Sequence, residues 1–312
     1  MQSIQKVIIV GAGAMGIVYA AHFQDSGLFD TAFLANGERY QRLTREGVYL
    51  NGKHYQIPAL KPEQKGGQAD LILIALKHHH LSRTLPEMDN IVGKHSVFIS
   101  VMNGLDSERI IGERFGIEKL LYTIAVGIDA VRDGNQVTCS KPGILYFGQK
   151  DNNSTSEIVD RVKIAFDRAG IPSEIMEDMA RKMWWKFMIN VGVNQSSAIL
   201  RAPYGVYQKS EEAISLMRSL MLEVIKLAQA LKINLTTEDI TEWIRFLSTL
   251  SPVGKTSMLQ DIEAGRKTEV EIFGGKVIEL GEELNIPTPV NRTVHQMIKV
   301  LESMYPGGSA MP

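Results

Sequence analysis

The run KVIIV at residues 6–10 leads straight into Gly11-Ala12-Gly13-Ala14-Met15-Gly16, and the apolar pattern IVYAAHF follows. No other stretch narrows the fold as much. The β-branched run reads as a short buried strand. A G-x-G-x-x-G between such a strand and a helix is the turn of a dinucleotide-binding unit. Its glycines do separate jobs. The first permits the tight turn, the second lets a pyrophosphate approach the backbone, and the third lets helix and strand pack closely. The helix start adds unpaired N–H groups and a positive dipole end for phosphates. Gly11, Ala12, Gly13, Ala14, Met15 and Gly16 are therefore candidate cofactor contacts; the competing account is a tight structural turn.

Thr31 to Ala35 predicts the second strand. An NAD site would carry Asp or Glu at its end, about 20 residues after the glycines, to hold the ribose 2′-hydroxyl. Asn36, Gly37, Glu38 and Arg39 stand there instead. With no carboxylate at the strand end itself, and with Arg39 and Arg42 available for a 2′-phosphate, the expected cofactor is NADP. Glu38 counts the other way, and a solvated helix face is the alternative reading of both arginines.

Leu71 to Leu76 (LILIAL) is an uninterrupted apolar run, as in strands buried on both faces of a parallel sheet. Lys77 follows, at the edge where open α/β sheets bind ligands. His78, His79 and His80 cannot all point one way, and no Cys or acidic cluster accompanies them. They read as a solvated turn or cofactor-rim loop, and no metal is expected. Val97 to Val101 is another buried strand, ending at Met102-Asn103-Gly104. The Asn103 amide suits a ribose or substrate, unless Asn-Gly simply makes the turn. Asn51-Gly52 signals a type I′ hairpin. Arg132-Asp133-Gly134-Asn135 signals another between strands over 120–129 and 136–140, and 143–148 reads as a further strand. The fold class is α/β, an N-terminal Rossmann doubly wound sheet with late antiparallel additions.

After Ser173–Met176 helical periodicity takes over, at about 178–200, 210–232, 236–250, 255–264, 269–284 and 290–304. The expected domains are 1–172, binding the dinucleotide, and an all-helical 173–312. Within the second, Met183 to Leu200 is apolar nearly all round, which marks a buried helix. Yet Lys186, Asn190 and Asn194 sit four residues apart. Each such step turns the helix by about 400°, so they share one face, and Ser197 continues it. A buried polar stripe costs free energy unless partnered; either the protein satisfies it or a ligand does. An amine between apolar walls tends to have a lowered pKa, which suits proton transfer near neutrality. Thr268 and Glu271 fit a capping box, and Gly265 suits the end of the preceding helix. Glu269 then sits in a first helical turn, complementing its dipole. Ser257 lies near the start of the helix before.

Apolar residues make up 44% of the 312 and charged residues 22%, as in a soluble globular protein. The formal net charge of -1 gives nothing global that favours nucleic acid or an anionic membrane. Cys139 is the single cysteine, which excludes an internal disulfide framework and fits a reducing cytoplasm. No apolar run reaches the ~18 residues of a membrane span, and the N-terminus lacks a signal-peptide layout. The tail Gly307-Gly308-Ser309-Ala310 is expected to fray. The apolar C-terminal helices pack either within their domain or across a homodimer seam.

The glycine loop, Lys77, Met102-Asn103-Gly104, Trp185-Lys186 with Asn190 and Asn194, Thr256 to Asp261 (TSMLQD), Lys267-Thr268-Glu269 and Ile286 to Asn291 (IPTPVN) together resemble the ketopantoate reductase (2-dehydropantoate 2-reductase) family. The resemblance runs from residue 6 to about 300. Its S-M-L-Q-D and T-E blocks are more specific than a Rossmann turn, which many unrelated enzymes share. It implies NADPH-dependent reduction of 2-dehydropantoate to (R)-pantoate, on the route to pantothenate and coenzyme A. It also implies a C-terminal domain like that of 6-phosphogluconate dehydrogenase, with the active site between the domains. Lys186 then corresponds to the general acid and Glu269 to the active-site carboxylate. Asn190, Asn194 and Ser257 fall at substrate-contacting positions, and Asn103 and Lys77 face cofactor and substrate. Two positions depart. Asn36 stands where the family often has Arg, which leaves a 2′-phosphate to Arg39. Gly254 stands where it often has Asn, so one substrate hydrogen bond is lost or supplied differently. Two rivals remain: a reductase of another branched 2-oxo acid, and a non-catalytic NADP(H) sensor, which has no need for Lys186, Asn190 and Asn194 with Glu269.

Overall fold

A computed structural model describes residues 3–65, 67–150 and 156–305; the tail at 307–310 lies outside the described residues. The strands are β1 (Lys6–Val10), β2 (Asp30–Leu34), β3 (Val48–Leu50), β4 (Lys53–Tyr55), β5 (Ala59–Leu60), β6 (Ala69–Ile74), β7 (Val92–Ser100), β8 (Leu120–Asp133), β9 (Gln136–Gly148) and β10 (Ser173–Ile175). They form one sheet in the order β4-β3-β9-β8-β7-β6-β1-β2-β5, with β10 paired to β9. From β8 to β5 every neighbouring pair is parallel. The centre of this stretch is buried on both faces, which is why its strands read as unbroken apolar runs. From β1 the chain steps to β2 on one side and later to β6 on the other. The order reverses there, and a doubly wound sheet opens its ligand crevice at that point.

The antiparallel additions sit at the far edge. Asn51 and Gly52 have φ of 49° and 81°, both positive, as the type I′ turn between β3 and β4 requires. β8 and β9 pair along almost their full length. The break expected between 140 and 143 is absorbed as a bulge, where Asp129 and Ala130 pair with Lys141 and Cys139 and leave Ser140 over.

Helices α1 (Ala14–Ser26), α2 (Gly37–Glu46), α3 (His78–Thr84), α4 (Ser107–Phe115) and α5 (Glu157–Arg168) accompany the sheet. Then come α6 (Met179–Ile189), α7 (Gln195–Leu200), α8 (Tyr204–Tyr207), α9 (Glu211–Ala230), α10 (Thr237–Leu247), α11 (Ser257–Glu263), α12 (Gly274–Glu283) and α13 (Pro289–Ser303). Among the described residues no helix is long and apolar enough to cross a membrane. The chain divides into two compact units, Met1–Lys182 and Met183–Pro312. This break falls later than residue 172 for a local reason. Ser173–Ile175 pairs in parallel with Leu145–Phe147 of β9, and the Lys182 ammonium lies 4.1 Å from the centre of the Tyr146 ring.

The first unit turns on a near contact inside the glycine loop. Gly11 has φ of 112°, and a Cβ on it would lie 2.4 Å from the Ala75 carbonyl oxygen. A Cβ on Gly16 would lie 1.8 Å from the Gly11 carbonyl oxygen. Only glycine lets α1 leave β1 this closely. Around Gly13 the nearest such atom is 3.9 Å away. Gly16→Ala is expected to lower the unfolding free energy by about 1–3 kcal/mol or more, and Gly13→Ala to stay within about 0.5 kcal/mol. Urea unfolding midpoints check this; equal losses would contradict the packing role of Gly16.

Candidate active site

In the first unit the strand ends are aligned. Val10 is in register with Leu34 on one side and Ile74 on the other, and Ile74 with Ser100. The ladder runs one step further, from Ala75 N–H to the Val10 carbonyl at 2.8 Å and from Val101 N–H to the Ile74 carbonyl at 3.0 Å. Residues just after these strands therefore leave the sheet along one edge. The glycine loop, Arg39, Lys77 and Asn103 all lie there. α1 begins at Gly13 with no side-chain cap on its first N–H groups, and the flank of Gly13 is open to a ligand's backbone approach. That arrangement fits a pyrophosphate at the helix N-terminus. Asn36 donates its amide to Glu87 at 2.6 Å, so it is engaged within the protein. Arg39 and Arg42 line one groove along α2 together with Glu38, Gln41 and Arg45.

His78, His79 and His80 form the first turn of α3 and not a loop. The rings of His79 and His80 meet edge to face at 4.0 Å. Burial, then His79, Arg83, Arg39 and Lys77, holds the His80 imidazole down at about 4. These neighbours make this part of the edge electropositive, as an anionic ligand needs. They also set a pH dependence. The folded protein binds this proton less tightly than the unfolded chain, whose histidine titrates at 6.5. The contribution is complete above about 6.5 and is lost as pH falls from there to about 4. In denaturant titrations across that window, His80→Gln should lose stability less steeply than the parent; identical slopes would contradict the assignment.

In the second unit the apolar helix is not one helix. α6 gives way to a π-turn, Asn190–Asn194, before α7 resumes. Lys186 and Asn190 are half-buried, and Asn194 is 6% exposed. A widened turn disturbs the regular carbonyl pairing, and side chains attend to it. Gln195 Nε2 donates to the Val191 carbonyl at 2.9 Å, and Ser196 Oγ to the Gly192 carbonyl at 2.7 Å. Gln195 Nε2 also donates to Asn291 Oδ1 at 3.0 Å. Asn291 in turn donates to Glu223 Oε2 at 2.8 Å. The buried Glu223 carboxylate further accepts the N–H groups of Val290 and Asn291, at 2.9 and 3.0 Å, in the first turn of α13. A Cβ on Gly192 would lie 2.5 Å from Met221, so glycine is what admits α9 this close.

Gln195, Glu223 and Asn291 were not among the expected site residues. The available signal was one carboxylate inside the apolar pattern of α9. Ser197, expected to extend the polar stripe, is spent structurally. It donates to the Ala202 carbonyl at 2.7 Å and accepts from Thr256 Oγ1 at 3.1 Å. Thr256 caps α11 by accepting from Leu259 N–H at 3.1 Å. Ser257, the exposed first residue of α11, is thereby tethered to α7.

The capping box at Thr268 does not form. Thr268 donates its N–H and hydroxyl to Glu302, each at 2.7 Å. Glu271 faces away, to His295 Nε2 at 3.0 Å and Lys299 Nζ at 2.6 Å, which hold its carboxyl down at about 2. A single 3-10 turn, Val270–Ile272, follows the partly buried Glu269, and α12 starts only at Gly274. Gly254 also has a local cause. Its carbonyl accepts from Tyr204 N–H at 2.9 Å, and a Cβ there would lie 2.9 Å from the Tyr204 ring. An asparagine would collide with that ring.

A parallel sheet with a glycine-bounded edge, followed by a helical unit around a polar-striped helix, defines a Rossmann-type protein with a helical second unit. The family described as "Ketopantoate reductase PanE/ApbA" matches residues 7–152, and "Ketopantoate reductase PanE/ApbA C terminal" matches residues 178–302. The chain belongs to the ketopantoate reductase family and is an oxidoreductase of that family. It is 26% identical over 304 residues to a 2-dehydropantoate 2-reductase of Archaeoglobus fulgidus, covering 96% of this chain and 99% of that one. A D-mandelate dehydrogenase solved with NADH shares the fold, with a TM-score of 0.85 at 21% identity over 97% of this chain and all of the other. A dimeric ketopantoate reductase of Staphylococcus aureus does so with a TM-score of 0.80 at 20% identity, over 96% and 99% of the two chains.

Proposed function

We propose that the protein reduces 2-dehydropantoate to (R)-pantoate with NADPH in the cytoplasm, on the way to pantothenate and coenzyme A. The observation that carries this is the polar stripe of one buried helix. Lys186 and Asn190 are half-buried, Asn190 opens the π-turn and Asn194 closes it, and Ser197 at the end of the stripe is held by Ala202 and Thr256. An ammonium group on the helix face that also carries Asn190 and Asn194, in a reductase family whose Archaeoglobus fulgidus member is named for this reaction, suits an oxo-acid acceptor.

The bound cofactor supplies a hydride to the ketone carbon. Residues of the first unit bind it: Gly11 to Gly16 at the pyrophosphate, Arg39 at the 2′-phosphate, and Lys77 and Asn103 toward the nicotinamide side and the substrate. Negative charge grows on the ketone oxygen, and Lys186 stabilises it and donates the proton from Nζ. Glu269 keeps Lys186 charged and oriented and accepts from the substrate hydroxyl. Ser257 binds the carboxylate, and Asn190 and Asn194 the far hydroxyl. A homodimer belongs to the same reading, like the Staphylococcus aureus protein.

One observation favours a second reading, another branched 2-oxo acid. The Tyr204 ring leaves no room at Gly254 for the family's usual asparagine, so one substrate hydrogen bond has no donor there. NADPH oxidation with 2-dehydropantoate beside related oxo acids, repeated with NADH, separates the two. The highest kcat/KM belongs to 2-dehydropantoate with NADPH under the first reading and to an oxo acid without the hydroxyl under the second. No oxidation across the panel would remove both and leave a cofactor-binding sensor. Lys186→Ala should lower kcat by about 10²–10⁴-fold while NADPH affinity, measured by fluorescence titration, changes little. Unchanged turnover would take Lys186 out of the chemistry.

A further inference from the structure

We infer that Arg132 of β8 is the third member of an arginine cradle for the cofactor's 2′-phosphate, with Arg39 and Arg42, and replaces the arginine absent at Asn36. This rests on the NADPH reading above. Arg132 stands beside the β8–β9 hairpin tip and reaches across 120 residues of sequence. Its Nη1 donates to the carbonyl of Ala12, the second residue of the glycine loop. Its Nε donates to the Gly134 carbonyl at 2.8 Å. These two bonds pin the half-buried guanidinium against the loop, and Nη2 makes no bond among the described residues. The bond to Ala12 also has a local effect. In a trans peptide the N–H points opposite to the carbonyl, so holding the Ala12 carbonyl toward Arg132 fixes the direction of the Gly13 N–H.

Arg39 and Arg42 lie three apart, on one face of α2, which begins directly after β2. The ribose 2′ position of a bound dinucleotide falls at the end of that strand. Arg132 meets the same strand-end edge through its bond to Ala12; burial first, then the Arg42 and Arg39 charges, holds its pKa down. Three other arginines of this unit are paired with carboxylates: Arg45 with Glu46, Arg109 with Glu113 and Arg114 with Asp89. Arg39, Arg42 and Arg132 have no ion-pair partner among the described residues. Gathering three like charges costs free energy, and a phosphomonoester dianion offsets it with bidentate, charge-assisted bonds. A bare 2′-hydroxyl offers no such compensation. Asn36, tied to Glu87, does not compete for the phosphate.

Calorimetric titration with adenosine 2′,5′-bisphosphate and with 5′-AMP tests this on the whole protein, Arg132→Gln, Arg132→Lys and Arg114→Gln. The unaltered protein should bind the bisphosphate at least about 10-fold more tightly than 5′-AMP. Arg132→Gln should weaken the bisphosphate about 10–100-fold and 5′-AMP less than about 3-fold. Arg132→Lys, which keeps the charge and guards against a folding defect, should fall between. Arg114→Gln, which removes an arginine paired with Asp89 outside the groove, should change neither. If the unaltered protein discriminates but Arg132→Gln keeps the same ratio, Arg132 has no part in it, while the NADPH reading stands. Equal weakening of both ligands makes Arg132 only a prop for the loop and overturns the inference. No discrimination by the unaltered protein overturns the inference and the NADPH reading together.

Discussion

The second unit depends on how a buried helix settles the carbonyls of its own π-turn. Val191 and Gly192 are buried, and a buried carbonyl without a donor costs free energy. Gln195 and Ser196 supply donors from one turn further on. That solution constrains its neighbours. Gln195 needs Asn291, Asn291 needs Glu223, and the buried Glu223 carboxylate needs the N–H groups that open α13. α9 can bring Glu223 to that place only because residue 192 lacks a side chain. Three helices are thus fixed by one chain of hydrogen bonds, and Lys186 and Asn190 are carried on the approach to it.

The first unit reaches a comparable end by different means. Its fixed point is steric, the approach of Gly16 to the Gly11 carbonyl. Around it the parallel strands stop in one row, so that four separate loops contribute side chains to one edge. The charges there are mostly positive, with Glu38 among them. Burial first, then His79, Arg83, Arg39 and Lys77, depresses His80, and burial first, then Arg42 and Arg39, depresses Arg132. A fold at rest gains nothing from such crowding; a polyanionic ligand does.

Local signals were legible in the chain and long-range ones were not. The glycine loop, the apolar central strands and the Asn51-Gly52 turn each depend on residues a few positions apart, and each appears as expected. Ser173–Ile175 is three residues long and owes its strand to β9, so periodicity alone gave it to the helical unit. Thr268 and Glu271 have the spacing of a capping box, but partners some 24 to 34 residues away took both side chains. A π-turn changes helix register by one residue and leaves no mark in an apolar pattern. The roles of Asn291 and Arg132 appear only when segments 96 and 120 residues distant meet. Gly254 looked like a missing amide; its cause is the Tyr204 ring packed against it.

We propose that the Lys186 ammonium hands its proton to an oxygen of the bound oxo acid. A crystal structure of the protein with NADP and pantoate tests it most directly. Lys186 Nζ is expected within hydrogen-bond distance, about 3 Å, of the C2 hydroxyl oxygen. An amine directed elsewhere, with more than a single water between it and that oxygen, would contradict the claim.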